Sequence, residues 1–352
     1  MIDRPDFAKM ACPMPLLDHD TVQLAHGAGG RLSADLVAKL ILPRFANPEL
    51  DRLEDQAVLD LPPGRVAFST DTFVVSPVFF PGGDIGDLAI NGTVNDIAMS
   101  GARPLALSVG FVLEEGLPLA DFHRILCSME TAARTAGVRI VTGDTKVVGR
   151  GSCDRIFINT AGVGVVPDGV ELGAERIRPG DAVVLSGTLA DHGMAVMTVR
   201  EGLSFTSTVR SDTAALGGLV DVILAACPEV RTLRDPTRGG LATTLNEFAA
   251  RSGVGIVLDE TAVPVRPDVR GACEILGIDP LYVANEGKLV AVVPAADAEA
   301  VVAALRGHER GRDAVVVWRV TDEHPGRVTM TTNLGARRIV DMPVGEQLPR
   351  IC

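Results

Sequence analysis

The chain has 352 residues, 47% of them apolar and 4% aromatic, and its formal net charge is -12. An acidic surface repels nucleic acid and anionic lipid, and scarce aromatic residues offer no stacking platform for bases, so neither partner is expected. No signal peptide or membrane-length apolar run is found, and the cysteines lack zinc-finger spacing, which predicts a reduced, cytoplasmic protein. The length suffices for one large or two ordinary domains.

The first half predicts helices alternating with strands. Residues up to about Asp20 lack periodicity and form a predicted extension, after which the turn from His26 to Gly30 leads to a helix capped by Ser33. The apolar pattern then predicts, in order, a strand, a helix, a strand, a helix and two strands: Val66–Val75, Asp84–Ser100, Leu105–Leu113, Phe122–Ala136, Val138–Val141 and Ile156–Val166. Because some strands follow each other directly, a mixed α/β sheet is favoured over a Rossmann domain.

A polar stretch from Pro167 to Gly180 is the predicted domain boundary. Beyond it we predict four strands and three helices: strands Ala182–Leu185, Val254–Leu258, Leu289–Val293 and Ala314–Val320, and helices Gly193–Arg200, Leu241–Arg251 and Ala296–Leu305. The predicted organisation is therefore an extension (1–21), a first domain (22–166), a second domain (175–341) and a flexible tail (342–352). A tail of about ten residues can span about 35 Å, enough to reach a site on its own chain or on a partner subunit.

The last residue is a cysteine, Cys352. Chain ends are usually poorly ordered, so the sequence predicts an exposed and mobile thiol, whereas structural cysteines are normally buried. A mobile thiol suits the transport of a covalently attached group between reaction sites. The alternative is a chance terminal residue.

Four aspartates lie at breaks between predicted elements: Asp55, Asp71, Asp96 and Asp235. Mg²⁺ prefers carboxylate oxygens and commonly bridges them to nucleotide phosphates. For each aspartate alone, capping of a helix or turn is an equally good interpretation. The set together favours a metal site.

Three glycine clusters can approach phosphate closely: His26–Gly30, Pro81–Gly83 and Gly239–Gly240. None matches a known phosphate-loop pattern, so ordinary turns explain them equally well. On the helix that begins at Asp84, the spacing puts Asp84, Asn91 and Asn95 on nearly one face. A polar stripe of this kind normally faces water, although amide side chains can also contact a nucleotide or metal-bound water.

Two charged residues lie next to buried-looking strands: Lys146 just past one and Glu286 just before another. Lysine can neutralise phosphate charge or act as a base when desolvated, and glutamate can act as a general base. A strand-end ion pair with another neighbour is the alternative for both. His192 is interpreted as a capping or packing residue rather than a catalyst.

Eight motifs occur in one order along the chain: His26-Gly27-x-Gly29-Gly30, Ser69-Thr70-Asp71, Phe79–Gly83, Gly92-Thr93-x-Asn95-Asp96, Thr142–Val148, Arg234-Asp235-x-Thr237-Arg238-Gly239-Gly240, Asn285–Lys288 and Pro349–Cys352. From about Val22 to the end, the chain resembles the HypE family of hydrogenase-maturation proteins. That family is part of a wider group of ATP-using enzymes that includes aminoimidazole ribonucleotide (AIR) synthetase, selenophosphate synthetase and thiamine-phosphate kinase.

The resemblance implies an α/β fold in which the N-terminal sheet pairs across a homodimer into a β-barrel, covered by a C-terminal α/β domain. It also implies ATP and Mg²⁺ between these parts, with Asp55, Asp71, Asp96 and Asp235 as metal ligands. Nucleotide contacts are then expected from seven residues: Gly29, Gly30, Thr70, Asn95, Gly143, Asp144 and Arg238. The extension before Val22 departs from the pattern, and Asp84 is not ranked as a ligand.

The implied reaction uses the tail. A HypF-like carbamoyltransferase loads a carboxamide onto Cys352, ATP phosphorylates the carboxamide oxygen, and loss of phosphate leaves a thiocyanate that passes to iron held by a HypC–HypD complex. Lys146 and Glu286 are the expected catalytic residues, in an unassigned order, and Arg350 either guides the tail or is a solvated charge. The alternatives are a small-molecule phosphotransferase of the same fold and a non-catalytic cyanide carrier.

Overall fold

The computed structural model describes residues 14–15, 17–202, 209–343, 345, 348 and 350–352. Residues 1–13 of the predicted extension, including Cys12, lie outside this range. Within it, no helix combines the length and the apolar character needed to cross a bilayer.

The first half of the chain forms a four-stranded sheet and a small hairpin. Its strands are, in chain order, β1 Arg65–Phe73, β2 Phe79–Phe80, β3 Gly83–Asp84, β4 Arg103–Glu114, β5 Arg139–Val148 and β6 Ile156–Val166. The spatial order of the main sheet is β1-β6-β4-β5, and β2 pairs with β3. Strand β6 is antiparallel to both β1 and β4, whereas β4 and β5 are parallel. The predicted mixed sheet is confirmed.

Helices cover one face of this sheet. They are α1 Arg31–Leu36, α2 Leu42–Phe45, α3 Ile85–Met99 and α4 Leu119–Ala136, with a π-helical turn joining α1 to α2. Asp84 caps α3 by accepting the N–H groups of Gly86 and Asp87, and Gly137 ends α4 at a φ of 70°. The predicted Ser33 cap is wrong. The N-cap of α1 is Gly30, and Ser33 is the third residue of the helix.

The second half forms a seven-stranded sheet with helices on both faces. Its elements are β7 Ala182–Leu185, α5 Asp191–Arg200, α6 Gly217–Ala226, β8 Thr232–Arg234, α7 Gly240–Ser252, β9 Gly255–Asp259, α8 Pro267–Leu276, β10 Val290–Val293, α9 Ala298–Gly307, β11 Val315–Thr321, β12 Val328–Thr331 and β13 Arg337–Ile339. The strand order is β13-β12-β9-β11-β7-β10-β8, with only the β9–β12 pair parallel. Separate apolar clusters lie against its two faces.

In the second half, the sequence located most helices and strands to within a few residues, but it missed five of them: α6, α8, β8, β12 and β13. Strand β5 is also longer than predicted and extends to Val148, so Lys146 lies inside a strand rather than after one.

The apolar core of the first half continues into the second half. It includes Ala190 and Met194 at α5, Val283 of a later loop, and Leu348 and Ile351 of the tail. The two halves therefore pack directly on each other, and the tail lies in their junction. The predicted polar stripe of α3 is buried rather than solvated. Asn91 and Asn95 are bonded to residues of the second half at this junction, whereas Asp84 is covered by Ser128 of α4.

The other face of the four-stranded sheet has no covering element among the described residues. Along β1, Val66, Phe68, Thr70 and Thr72 point to this uncovered face and are exposed, and Phe68 has 69% of its surface accessible. The described strands form open sheets, and none closes into a barrel within one chain.

Candidate active site

The C-terminal tail lies along the residues that follow β1. The N–H of Val74 donates to the main-chain oxygen of Cys352 at 3.3 Å, and the N–H of Ser76 donates to the carbonyl of Arg350 at 3.2 Å. Ile351 is buried with 2% of its surface accessible, and Cys352 is partly buried. The predicted exposure of the terminal thiol is therefore wrong, because its neighbour Ile351 packs into the shared core. Its mobility stays a prediction.

Two side chains of α5 contact the main chain of the tail. The Nε2 of His192 lies 2.8 Å from the carbonyl oxygen of Ile351, and Nη2 of Arg200 donates to the carbonyl of Arg350 at 2.6 Å. His192 also packs edge-on against Phe80, with 5.4 Å between ring centroids. His192 is thus a buried packing residue, as predicted, and its polar edge faces the tail.

The Cys352 side chain lies close enough to the carboxyl group of Glu286 for each group to influence the pKa of the other, while Glu286 Oε1 is buried without a hydrogen-bond partner among the described residues. Glu286 is buried, and this burial, with the charges of Asp235, Asp212 and Asp71, raises its pKa well above the usual range. Burial and the Glu286 charge raise the pKa of the Cys352 thiol as well. A carboxylate with a raised pKa is a stronger proton acceptor than a solvated one, which is the property that a general base needs.

Glu286 is held by contacts of its backbone. Its N–H donates to Asp212 Oδ1 at 3.2 Å, and Lys288 Nζ donates to Asp212 Oδ2 at 3.1 Å. Burial opposes the ionisation of Asp212, but the Lys288 ammonium and the N–H of Glu286 favour it, and its pKa lies below the usual value. Gly287 leaves the room for this contact, since a Cβ there would lie 1.8 Å from the Asp212 carbonyl oxygen.

Asn285 joins the loops around the site. Its Nδ2 donates to the carbonyl of Pro236 at 3.0 Å, and its Oδ1 accepts the N–H of Ala190 at 2.7 Å. The sequence reasoning missed Asp212, Arg200 and the role of Asn285. Only Asn285 gave a signal, since it lies in one of the motifs shared with the HypE family.

Asn95, a predicted nucleotide ligand, is buried and uses both ends of its amide within the protein. Its Nδ2 donates to the carbonyls of Ala214, at 3.0 Å, and Glu286, at 3.4 Å, while its Oδ1 accepts the N–H of Leu216. These bonds favour a role in holding the Glu286 loop over a contact with nucleotide.

Three of the four predicted metal ligands lie close enough to influence each other. Burial and the charges of Asp96 and Asp71 raise the pKa of Asp235 to about 7. Incomplete solvation raises the pKa of Asp96, which accepts a hydrogen bond from Ser69, and Asp71 raises it further. The pKa of Asp71 is raised by its burial. The fourth, Asp55, is exposed on the loop before β1, and the structure does not bring it into this group.

The chemistry of this carboxylate group suits Mg²⁺. Like charges that raise each other's pKa are stabilised by a cation, and Mg²⁺ is usually held by one or two carboxylates together with waters and substrate phosphates. Among the described residues, no three His, Cys, Asp or Glu side chains form a ready-made metal cage. Asp71, Asp96 and Asp235 therefore fit a Mg²⁺ ion that arrives with a phosphate ligand.

A separate cavity of about 340 Å³ lies between the α1–α2 segment and the sheet. Its walls are largely apolar, with Val37, Ile41 and Phe45 from the helical segment and Val109 and Phe111 from β4. Four predicted site residues line its rim: Gly29, Gly143, Asp144 and Lys146. An apolar slot with a charged rim is typical of sites for a flat, polar-edged ligand such as a nucleotide base.

Lys146 and Glu286 are not brought together within the described chain. The Lys146 ammonium pairs with Asp144, with 2.8 Å between Nζ and Oδ2, and 65% of the lysine side chain is exposed. The ion pair that the sequence left open as the alternative to a catalytic role for Lys146 is therefore present, although within the strand rather than at its end. Glu286 lies instead at the junction with the tail.

The remaining predicted residues are divided between these two regions. The Arg238 guanidinium lies near both Asp71 and Cys352, where its charge opposes part of the rise in pKa that burial causes. Thr70 points to the uncovered sheet face and donates to the carbonyl of Thr160, and Gly30 precedes α1. Arg350 forms an ion pair with Asp154 at 2.7 Å, so it holds the tail rather than the thiol.

Two family models match the chain along more than half of its length. AIR synthase related protein, N-terminal domain, matches residues 53–166, and AIR synthase related protein, C-terminal domain, matches residues 178–331. The chain therefore belongs to the AIR synthase-related family of proteins.

Within this family the chain belongs with the HypE proteins. It is 55% identical to carbamoyl dehydratase HypE of Azotobacter vinelandii over 96% of this chain and 98% of the relative. A crystal structure of hydrogenase maturation protein HypE in complex with ATP superposes with a TM-score of 0.91 at 50% identity, covering 94% of this chain and all of that one. HypE in a HypE–HypF complex superposes with a TM-score of 0.77 at 47% identity, covering 88% and 99%.

Proposed function

We propose that this protein is an ATP-dependent carbamoyl dehydratase that converts a carboxamide on its own Cys352 into a thiocyanate. The product supplies the cyanide ligand for the iron of [NiFe]-hydrogenase. The observation that carries the proposal is the contact between the terminal thiol and the buried carboxyl group of Glu286, beside the carboxylates of Asp71 and Asp235. A tail whose last side chain lies in a site of this kind is a substrate as well as a part of the enzyme.

The reaction requires phosphorylation and the removal of protons. The carboxamide oxygen attacks the γ-phosphorus of ATP, the bond to ADP breaks, and an O-phosphorylated imidate forms on sulfur. Loss of the nitrogen protons then expels phosphate and leaves the C≡N triple bond, so that carboxamide and ATP give thiocyanate, ADP, phosphate and one proton. Glu286 contacts the sulfur and is the chain's best-placed proton acceptor.

ATP is the expected cofactor, as in the crystal structure of the ATP complex of a relative. The cavity beside Gly29, Gly143 and Asp144 suits the base, since its walls are apolar and its rim is polar. Asp71, Asp96 and Asp235 would hold Mg²⁺, which when bound would neutralise phosphate charge. The exposed Asp55, and Thr70, Gly30 and Arg238, remain proposed ligands.

Residues 22–166 are the proposed dimerisation domain. The uncovered face of the four-stranded sheet presents Val66 and Phe68 to solvent, and burial of such a face in a second copy would complete a closed barrel. Pairing of this kind offers a route by which Lys146 of one copy meets Glu286 of the other. It reconciles the two proposed catalytic residues with their separation in one chain.

The partners proposed are a HypF-like carbamoyltransferase that loads Cys352 and a HypC–HypD complex that accepts the cyanide. A relative of this chain forms the HypE–HypF complex cited above. The cytoplasm is the proposed location, since the carrier chemistry needs a reduced thiol and none of the five described cysteines, Cys127, Cys153, Cys227, Cys273 and Cys352, is in a disulfide.

Mass spectrometry of the C-terminal peptide tests the proposal. The protein is incubated with HypF, carbamoyl phosphate and ATP, and the peptide is measured before and after further Mg-ATP is supplied. We expect a carbamoyl adduct on Cys352 that then loses one water, and neither species in Cys352→Ala. An adduct that stays unchanged while ATP is consumed would indicate the small-molecule phosphotransferase. Normal cyanide delivery by Asp96→Asn would indicate the non-catalytic carrier.

A further inference from the structure

Besides the packing of Ile351 and the ion pair of Arg350, the docked tail is held through its main-chain carbonyls. Ile351 offers its carbonyl to His192, at 2.8 Å, and Arg350 offers its carbonyl to Arg200, at 2.6 Å. The same guanidinium donates to the carbonyl of Ser76 through Nε, at 2.8 Å, and through Nη2, at 2.6 Å. Arg200 thus joins the tail to the segment that follows β1.

The chemical state of His192 is fixed by its surroundings. A carbonyl oxygen only accepts hydrogen bonds, so Nε2 must carry the proton that is donated to Ile351. The other ring nitrogen, Nδ1, therefore accepts the hydroxyl proton of Ser211 at 2.8 Å. Burial lowers the pKa of His192, which favours the same neutral ring. Phe80 packs against the ring and fixes its plane.

We infer that His192 and Arg200 form a tail clasp, a pair of positioning residues that recognises the main chain of the last three residues and sets the Cys352 sulfur against Glu286. This inference rests on the proposed function in that Cys352 carries the reacting group. The clasp acts on carbonyls that are present whatever is attached to sulfur, so it can hold the free, carbamoylated and cyanated tail in one register. Arg350 and Asp154 add an ion pair on the outer side.

Alkylation of Cys352 by iodoacetamide tests the clasp without nucleotide or carbamoyl donor. In the docked tail the thiol is shielded and its pKa is raised, so alkylation reports the undocked fraction. Loss of one hydrogen bond in His192→Leu is expected to speed alkylation about fivefold. His192→Gln, whose amide nitrogen replaces Nε2, should restore the wild-type rate. Ser211→Ala removes the partner of Nδ1, along with a hydrogen bond from the N–H of Thr213 at 3.2 Å, but leaves Nε2 in place, and it should give a smaller acceleration of about twofold.

The buried thiol of Cys227, in a different apolar cluster, serves as the internal control for folding. An unchanged alkylation rate in His192→Leu, or an equal acceleration in His192→Gln, would overturn the clasp. Acceleration of Cys227 in step with Cys352 would assign the effect to loosening of the whole fold and count against it too. If His192→Leu fails to fold, Ser211→Ala is the test instead, and an unchanged alkylation rate of Cys352 in that variant would overturn the clasp.

A second measurement separates this inference from the proposed function. During turnover, His192→Leu should lower the rate of water loss in proportion to the docked fraction that remains, by less than fivefold, without changing the KM for ATP. If neither the wild type nor any variant loses water from the adduct, the proposed function is wrong. The alkylation experiment still tests the clasp in that case, because it needs neither nucleotide nor carbamoyl donor.

Discussion

The carboxyl group of Glu286, on a loop of the second half, lies beside the thiol of Cys352 at the end of the chain, and each group influences the pKa of the other. The loop is fixed by Asp212 and Asn95, which bind the backbone of Glu286, and the tail is fixed by His192 and Arg200. Both partners are therefore preorganised, so that the reaction does not have to order them.

Replacement of Glu286 by glutamine should stop dehydration while leaving the tail docked. The amide keeps the size and the polarity of the side chain but cannot act as the base, and a general base typically contributes a factor of about 10² to 10⁴ in rate. We expect at least a hundredfold slower loss of water from the Cys352 adduct, measured by mass spectrometry. Glu274→Gln, on the exposed side of α8, is the matched control and should behave as wild type. A rate within a few fold of wild type would remove Glu286 from the mechanism.

Mixing two inactive variants should restore activity if Lys146 acts across the dimer. Lys146→Ala and Glu286→Gln are each expected to be inactive, but one of the two sites in a mixed dimer has both residues intact. Random pairing of equal amounts makes half of the dimers mixed, so about a quarter of the wild-type dehydration rate is expected. If Lys146 acts within its own chain, the mixture stays as inactive as its components. If Lys146 takes no part, Lys146→Ala is active by itself.

Charge introduced on the uncovered sheet face should separate the dimer. Phe68→Glu places a carboxylate where an apolar contact is proposed, and burial of that unpaired charge is costly. Sedimentation analysis should show a monomer, accompanied by loss of dehydration, with an unchanged circular dichroism spectrum. Leu334→Glu, on a still more exposed leucine outside this sheet, is the control and should remain dimeric. A Phe68→Glu protein that sediments with the control would contradict pairing through this face.

Asp87 should make the protein less stable as the pH rises. Burial and the neighbouring Asp84 raise the pKa of Asp87 to about 8, and the pKa of Asp84 is raised to about 6. The folded state therefore binds more protons than the unfolded chain between about pH 4 and pH 8. Across that window the free energy of unfolding should fall with pH, by at most about 1.4 kcal/mol per unit for each group.

The isosteric change Asp87→Asn should remove most of this dependence. The substituted amide cannot ionise, and it keeps an oxygen for the side chain of Asn91, which donates to Asp87 Oδ1 at 2.9 Å in the wild type. Urea unfolding at pH 5, 7 and 9 should show the variant gaining on wild type as the pH rises, whereas Asp221→Asn on the surface of α6 should run parallel to wild type. Parallel curves for Asp87→Asn would show that this carboxyl group does not titrate in the window.

The sequence predicted the strands of the first half well because they carry continuous β-branched and apolar runs, as in Ile156–Val166. It missed α6, which has almost no polar face to give a helical period, and β8, which has only three residues. It also predicted the Asp84–Asn95 stripe as solvated. The spacing was right, but a polar stripe has the same sequence pattern whether it meets water or hydrogen-bonding groups of another domain.

By itself, the sequence determined the family, the alternation of helices and strands, and the candidate chemistry of Glu286, Lys146 and Cys352, because motifs and periodicity are local properties. Only the tertiary structure decided which of these residues meet. Contacts across hundreds of residues, such as those of His192 and Arg200 with the tail carbonyls or of Asp212 with the Glu286 backbone, depend on how two cores pack. A carbonyl group leaves no side-chain signature in a sequence, so the partners that recognise it appear only once the chain is folded.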